Sequence, residues 1–451
     1  MRHFALISLT ALSLQAMSLN ETISYALEHN NALQQANISV ERSKTLRDSK
    51  QGQRFGRVDV LASYDHYNNP RTLEPLTPIS IAGSPDGAYT IPTTKDLFNV
   101  GIAYNVTLFD GFAQQSSYEM SDLQYENSSI RSKLGREELI YNVRNLYVSI
   151  LALQEQLSAQ DLYTTSQVRL LERILQEKEL GSKSKLDVLK AKSSAQSSRS
   201  QVASLEANIS TLKATLSALM GDKEFDKTSP LNIVIDKSNK NALGESEISS
   251  LDRYKAANLN IQASQKKIDQ VSAANYPKID FGAYYGQNFG PNDTTNTVPL
   301  TSSAPSAGQT LISEGDWNSA VNWQVGVHLK WNVLDFGSTS AMSEEAKLAL
   351  LQAKLEGNSV KIEMRKNILT AQNNIKLAIA QYNNYFAQYE LLDETQKIET
   401  VRYENDAITL TDLLNTSAKK ELTHAQMINA KYNYQKASYY LDYLLEKGET
   451  K

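Results

Sequence analysis

The sequence predicts a mixed α and β membrane protein. Long helices of coiled-coil type join a few strands of membrane-spanning length, and the arrangement occurs twice along the chain. Three observations lead there. The first is duplication: Asp110 in "NVTLFDGF" and Asp335 in "KWNVLDFG" stand 225 residues apart, and so do Asp187 in "SKLDVLKA" and Asp412 in "TLTDLLNT". One offset shared by two landmarks means that the intervening lengths match, so the chain carries an internal repeat of about 220 residues, too long for one solenoid unit. The second is a heptad seam in the helical stretches, and the third a two-residue alternation in the strands.

The helices come first. Leu139, Val143, Leu146, Ile150, Leu153 and Leu157 step alternately by four and three, and Met364, Ile368, Ala371, Ile375, Ala378 and Tyr382 repeat the phase one offset later. After a break, Val202, Leu205, Ile209, Leu212, Leu216 and Leu219 follow the same rule, matched by Met427, Ala430, Tyr434, Ala437, Leu441 and Leu444. Steps averaging about 3.5 residues mark coiled-coil packing. From Ala113 to Lys178 there is one glycine, Gly135, and no proline; a continuous helix there is roughly 100 Å long at about 1.5 Å per residue. "SSAQSSRSQ" (193–201) is small and polar, suited to close helix approach with a wet face.

The strands alternate. Phe98, Val100, Ile102, Tyr104, Val106 and Leu108 share one face, and Trp323, Val325, Val327, Leu329, Trp331 and Val333 do the same in the second half. Shorter partners precede them, with Val58, Val60, Ala62 and Tyr64, and with Ile279, Phe281, Ala283 and Tyr285, on one face. Strands of about 9 to 11 residues with this pattern suit an outer-membrane barrel, and Tyr64, Tyr67, Tyr104, Trp323 and Trp331 are candidate aromatic girdles. An antiparallel sheet on a soluble core gives the same alternation. The predicted organisation is a leader at 1–18 and two repeats. The first, 19–250, has strands at about 57–67 and 97–109 and long helices over about 113–219. The second, 251–448, has strands at about 278–288 and 322–334 and helices over about 338–447. The Pro-, Gly-, Ser- and Thr-rich stretches 68–96 and 291–322 read as extracellular loops.

Bulk properties narrow the class. The chain has 451 residues, with 46 Lys+Arg against 50 Asp+Glu, which gives no nucleic-acid footprint. The absence of cysteine removes disulfides, Cys-ligated zinc, thiol catalysis and a lipoprotein anchor. The five histidines, His3, His29, His66, His328 and His424, are scattered and form no metal motif. Arg2 and His3 followed by the apolar "FALISLTALSLQ" read as a secretory leader, and Ala16-Met17-Ser18 fits the small-x-small cleavage rule with Leu19 as the first mature residue. No later stretch is apolar enough for a transmembrane helix, so membrane residence requires a closed barrel. Four strands cannot close one, since the smallest barrels have about eight; two copies would supply eight strands and three would supply twelve. Asp110-Gly111 and Asp335-Phe336-Gly337 fall where strand gives way to helix. Glycine accommodates the backbone change there, and Asp favours a helix N-terminus.

At these residues the sequence resembles the TolC family of outer-membrane efflux proteins. The resemblance covers nearly all of the mature chain. It rests on "SLNETISYALEHNNALQQA" (18–36), its echo "LDRYKAANLNIQA" (251–263), "YPKIDFGAYY" (276–285), the "LFDG" and "LDFG" turns, and the two helix-break motifs around Asp187 and Asp412. It implies a homotrimer: one twelve-stranded β-barrel, four strands per chain, set in outer-membrane lipid and continued by a helical periplasmic tunnel. It also implies docking with a periplasmic adaptor (membrane fusion) protein and an inner-membrane RND or ABC transporter, export of drugs as in multidrug resistance, and no cofactor. By the same resemblance Asp412 lines the constriction at the tunnel tip, with Asn415 where a second aspartate is common. Asp187 and Tyr403 match the closing network, whose linking arginine is replaced by Ile408. Gly181, at the first helix break, matches a glycine near the adaptor-docking site, and its second-half counterpart is Asp406. Gly56 stands where Pro277 precedes the second-half strand. From the residues alone, Asp187 and Asp412 read equally as helix caps.

Two other readings compete. The chain could be the outlet of a type I protein secretion system, or a non-conducting structural coiled-coil envelope protein. No phosphate-binding glycine loop, HExxH, GxSxG or His/carboxylate cluster supports an enzyme.

Overall fold

The computed structural model describes residues 17–73, 92–221, 223–225, 228–231, 233, 235, 245–293, 296–297, 310–312 and 314–448. Most of the expected leader, and the middles of both expected extracellular loops, lie outside the described residues. In chain order the elements are α1 (Leu19–His29), α2 (Asn31–Gln53), β1 (Arg57–Thr72), β2 (Thr93–Phe109), α3 (Ala113–Glu179), α4 (Lys185–Leu219), α5 (Glu245–Ser249), α6 (Asp252–Ser272), β3 (Lys278–Pro291), β4 (Asn296–Thr297), β5 (Thr310–Ile312), β6 (Trp317–Lys330), α7 (Ser338–Glu404) and α8 (Leu410–Leu444). The duplication is literal in length: α3 and α7 both have 67 residues, and α4 and α8 both have 35. The chain divides into two compact units, one helical (1–42, 126–260 and 354–451) and one containing the sheet (43–125 and 261–353).

In the sheet unit, four antiparallel strands run in the order β1-β2-β3-β6. The register places the alternating apolar sets on one face: Val60 opposite Ile102, Ile102 opposite Tyr285, and Tyr285 opposite Trp323. That face is bare in the single chain, with Val60 75% and Trp323 72% exposed. The other face is polar and knit together: Asn99 Nδ2 donates to Tyr284 Oη at 2.8 Å and Asn288 Oδ1 at 2.6 Å, and Thr107 Oγ1 donates to Asp280 Oδ1 at 2.7 Å. Tyr284 lies over Gly101 and Gly286, where a Cβ would come within 2.6 Å and 2.2 Å of its ring or hydroxyl.

Strand limits differ from expectation on both sides of each expected loop and at the end of β6. β1 runs on to Thr72 and β2 begins at Thr93, with Arg71 and Thr72 paired to Thr94 and Thr93. Pro70 lies in the stretch read as loop, but it sits at a register shift on an edge strand, where a missing N–H is tolerated. β3 runs on to Pro291, and β6 begins at Trp317 rather than 322. β6 ends at Lys330, not near 334, because its partner stops: Lys278 pairs with Lys330, and Pro277 has no N–H to extend the ladder.

The aromatic expectation is also revised. Tyr64, Phe98, Phe289 and Trp317 form a row across all four strands, with neighbouring centroids 4.8 Å (Tyr64–Phe98) and 5.5 Å (Phe98–Phe289 and Phe98–Trp317) apart. Tyr104 meets Phe281 nearer the opposite end. Trp331 lies past the end of β6, where its indole N–H donates to Asn275 O at 3.1 Å. Trp323 sits at mid-face, and Tyr67 lies under Arg71.

In the helical unit the predicted seams are the core. Val143 and Ile150 are fully buried, Leu139 nearly so, and Leu146, Leu153 and Leu157 pack against them with Ile209 and Leu216. Met364, Ile368 and Ala371 form a second cluster with Leu441 and Leu444. The end of the described chain is pinned. Glu446 accepts from the Asp252 and Arg253 N–H groups at the start of α6, and Gly448 N donates to buried Glu137 Oε2 at 2.8 Å.

Candidate functional site

Both helical hairpins turn by one device. Beyond α3, Gly181 takes φ +81°; beyond α7, Asp406 takes φ +53°. Ser182 N donates to Glu177 O at 2.9 Å and Gly181 N to Lys178 O at 3.0 Å; Ala407 N donates to Arg402 O at 2.8 Å and Asp406 N to Tyr403 O at 3.0 Å. These paired bonds form a Schellman ending, which needs a left-handed residue. Glycine supplies it freely, and aspartate is among the few others that tolerate it. The chemical difference between Gly181 and Asp406 therefore conceals one backbone shape.

The helices restart by a second shared device. Ser184 Oγ accepts from Asp187 N at 3.2 Å, while Asp187 Oδ2 accepts from Ser184 Oγ at 2.7 Å and Ser184 N at 3.1 Å. Thr409 and Asp412 repeat this: Asp412 Oδ2 accepts from Thr409 Oγ1 at 2.6 Å and Thr409 N at 3.1 Å. Each is a capping box with aspartate at the third helical position. The hydroxyl and amide of Ser184 or Thr409 hold both carboxyls below the usual range, so both are ionised at neutral pH. Asp412 Oδ1 is left without a protein partner among the described residues. Asn415, one turn on, lines an open groove of about 710 Å³ with Thr411, Ser193, Ser194, Ser197 and Glu421. Burial pushes the Glu421 carboxyl up.

Tyr403 lies within electrostatic reach of Asp187 but makes no hydrogen bond to it. It is 4% exposed, packed with Ile174, Ala191, Leu410 and Leu413, and its hydroxyl is buried without a hydrogen-bond partner. Lys183 Nζ stands 4.7 Å and the Arg173 guanidinium 5.8 Å from its ring centroid. Ile408 packs on the same cluster. Apart from Asp406, the cross-links between the two hairpins come from residues that the sequence does not single out. Lys183 Nζ meets Asp406 Oδ1 at 2.8 Å, Arg173 Nη1 meets Glu404 Oε1 at 3.0 Å, and Lys190 Nζ donates to Thr411 Oγ1 at 2.8 Å. Their spacings fall outside the 225-residue offset, and charges on long helices normally face water, so only the helix-cap reading of Asp187 and Asp412 and the breaks at Gly181 and Asp406 were visible beforehand.

Farther along α7, Asp393 meets Lys397 at 2.8 Å and Lys420 of α8 at 2.5 Å. Lys397 first, then Lys420, lowers its carboxyl from 3.8 to about 2. A depressed carboxyl stabilises the fold above its unfolded pKa, and that contribution is lost as pH falls through the folded value. The melting-temperature gap between wild type and Asp393→Asn should therefore be constant above about pH 5 and close as pH falls toward about 2; circular dichroism melts across that range measure it.

In the sheet unit, the strand-to-helix turns have Asp110 Oδ2 accepting from Gln114 N at 3.0 Å and Asp335 Oδ2 accepting from Thr339 N at 2.7 Å. Gly111 and Phe112 have φ +67° and +70°; Phe336 and Gly337 have +53° and +91°. Two successive left-handed residues make each turn, one of them a phenylalanine whichever order the pair takes. Gly111 is also crowded: an added Cβ would lie 2.6 Å from Ala273 O, whereas nothing lies within 4 Å at Gly337. Gly56, before β1, has φ +76° and would bring a Cβ to 2.2 Å from Asn105 O, so glycine is required there too.

Comparison with known proteins agrees with this architecture. No curated protein matches the chain in sequence. Among solved structures, CusC, studied for folding and transmembrane channel formation, is similar with TM-score 0.77 at 15% identity, covering 95% of this chain and 91% of that one. The Campylobacter jejuni CmeC outer membrane channel is similar with TM-score 0.76 at 15% identity, covering 95% and 86%. The Vibrio cholerae outer membrane protein VceC is similar with TM-score 0.75 at 15% identity, covering 95% and 96%. Residues 22–222 and 253–445, the two halves of the repeat, match the outer membrane efflux protein family. The chain belongs to that family, as an outer-membrane channel protein and not an enzyme.

Proposed function

We propose that three copies of this chain close one twelve-stranded barrel and one helical duct, the passive outer-membrane exit of a tripartite efflux pump. A periplasmic adaptor meets the hairpin ends around Gly181 and Asp406, an inner-membrane RND or ABC transporter supplies the energy, and drugs or other small molecules are the cargo. The observation that carries this is the sheet. A four-stranded sheet with a bare apolar face, and β1 and β6 as open edges, is prohibitive in lipid unless further copies pair those edges. The helical unit supports it: Leu355, Ile362 and Leu369, seven residues apart on α7, are exposed at 61%, 59% and 46%, a seam with no partner helix in its own chain among the described residues.

Three Asp412 carboxylates brought together at the tip form an anionic ring, with Oδ1 available to a passing cation while Oδ2 caps α8. Asn415 adds no charge to it. The rest state is held within each chain by Lys183–Asp406 and Arg173–Glu404, in place of a tie through position 408, where Ile408 is packed in the apolar cluster. Native mass spectrometry of the detergent-purified protein tests the assembly: a trimer mass is expected, and a monomer or dimer that still inserts and conducts contradicts it.

A further inference from the structure

Met17 and Ser18 are working parts of the helical unit. Ser18 caps α1: its N–H and Oγ donate to Glu21 Oε2 at 2.7 Å and 2.9 Å, and its Oγ accepts from Glu21 N at 3.3 Å. Its carbonyl accepts from buried Thr22, through N at 3.0 Å and Oγ1 at 2.8 Å. Met17 O accepts from Tyr147 Oη at 2.7 Å and Ser229 N at 3.1 Å, and Met17 bridges Thr228 in parallel. Tyr147 is fully buried in the main core, beside Leu216, Met220 and Phe225, and the Met17 side chain packs on that cluster.

We infer that the secretory leader is removed by hydrolysis of the Ala16–Met17 bond, so that the mature chain begins at Met17 and not at Leu19. The inference rests on the reading of the N-terminal segment as a secretory leader, and it moves the expected cut from Ser18–Leu19 to Ala16–Met17. Water adds across the amide, leaving a carboxylate on Ala16 and an α-ammonium on Met17. A cut after Ser18 satisfies the small-x-small rule, with Ala16 third from the bond; a cut after Ala16 keeps a small residue at the bond and puts Leu14 third from it. The peptidase meets the chain before it folds, so both bonds are open to it. Only the cut after Ala16 leaves the Ser18 cap of α1 and the packed Met17 in the mature chain. Removing Met17 and Ser18 deletes one of the acceptors used by Tyr147 and Ser229, deletes the α1 cap, and puts an ammonium at the positive end of the helix dipole. Tyr147 and Ser229 would keep their bonds to each other, Tyr147 Oη to Ser229 O at 2.9 Å and Ser229 N to Tyr147 Oη at 2.8 Å, but the Ser18 cap and the packing of Met17 on the core would be lost.

The test is N-terminal sequencing and intact mass of the full-length protein secreted and purified from outer membranes. Met17 is the expected first residue. Leu19 would overturn the cut site while keeping the leader, and an uncut Met1 would overturn the leader itself. Ser18→Asp separates the two bonds further. Aspartate still caps α1, and as the second mature residue it leaves cleavage unimpeded, so processed protein beginning at Met17 is expected. Accumulation of the unprocessed precursor in that variant would show that the severed bond follows residue 18 and would overturn the inference.

Discussion

Gly111→Val should yield little or no assembled protein, while Gly337→Ala should assemble and melt only slightly lower. Both glycines are left-handed, so any side chain pays backbone strain of about 1 to 2 kcal/mol, more when β-branched. Position 111 adds a collision with the Ala273 backbone, at 2.6 Å from its oxygen and 3.0 Å from its Cα, which no side-chain rotation relieves. Strain and overpacking together come to roughly 3 kcal/mol or more. Yield and melting temperature of the purified oligomer measure the contrast. Equal behaviour of the two variants would mean that the close approach of Gly111 to Ala273 does not hold in the assembled protein.

Reversing Arg173 and Lys183 together to glutamate should enlarge single-channel conductance. In wild type these cations face Glu404 and Asp406 across the two hairpins and lie over the Tyr403 ring. The pairs are partly exposed, so each is worth at most about 1 kcal/mol after solvent screening. Replacing two attractions by two repulsions shifts the balance between tied and loosened tips by about 2 kcal/mol, some thirtyfold in population. Restoring the pairs with Glu404→Arg and Asp406→Lys in the same background should return the small conductance. Conductance unchanged in the double reversal would remove these pairs from any role at the tip.

The parts of this architecture that depend on period were legible in the sequence. The offset joining Asp110 to Asp335 and Asp187 to Asp412 anticipated helices of identical length in the two halves, and the alternation from Phe98 to Leu108 anticipated which face of the sheet is apolar. What was not legible depends on neighbours distant in sequence. Pro70 read as loop, because nothing local says that its strand lies at a sheet edge. β6 stops at Lys330 because its partner begins just after Pro277. Trp317, in a stretch read as loop, completes the aromatic row of Tyr64, Phe98 and Phe289. At the tip, "SKLD" and "TLTD" announce capping boxes, but the pairing of Lys183 with Asp406 follows from how two helical hairpins pack. Asp406 itself shows that a repeat can preserve a backbone shape after its residue has changed from glycine.

The central claim, a membrane duct with a carboxylate ring at its tip, meets its most direct test in planar bilayers. Single-channel conductance would be recorded with and without a trivalent cation on the helical side, for wild type and Asp412→Asn. Asparagine keeps a side-chain oxygen able to cap α8 while removing the charge, so a difference reports the ring and not the fold. The account predicts small, cation-preferring steps that the trivalent ion blocks in wild type, with block weakened at least tenfold in Asp412→Asn. Equal block in both would contradict the ring, and correctly assembled trimer that never conducts would contradict the duct.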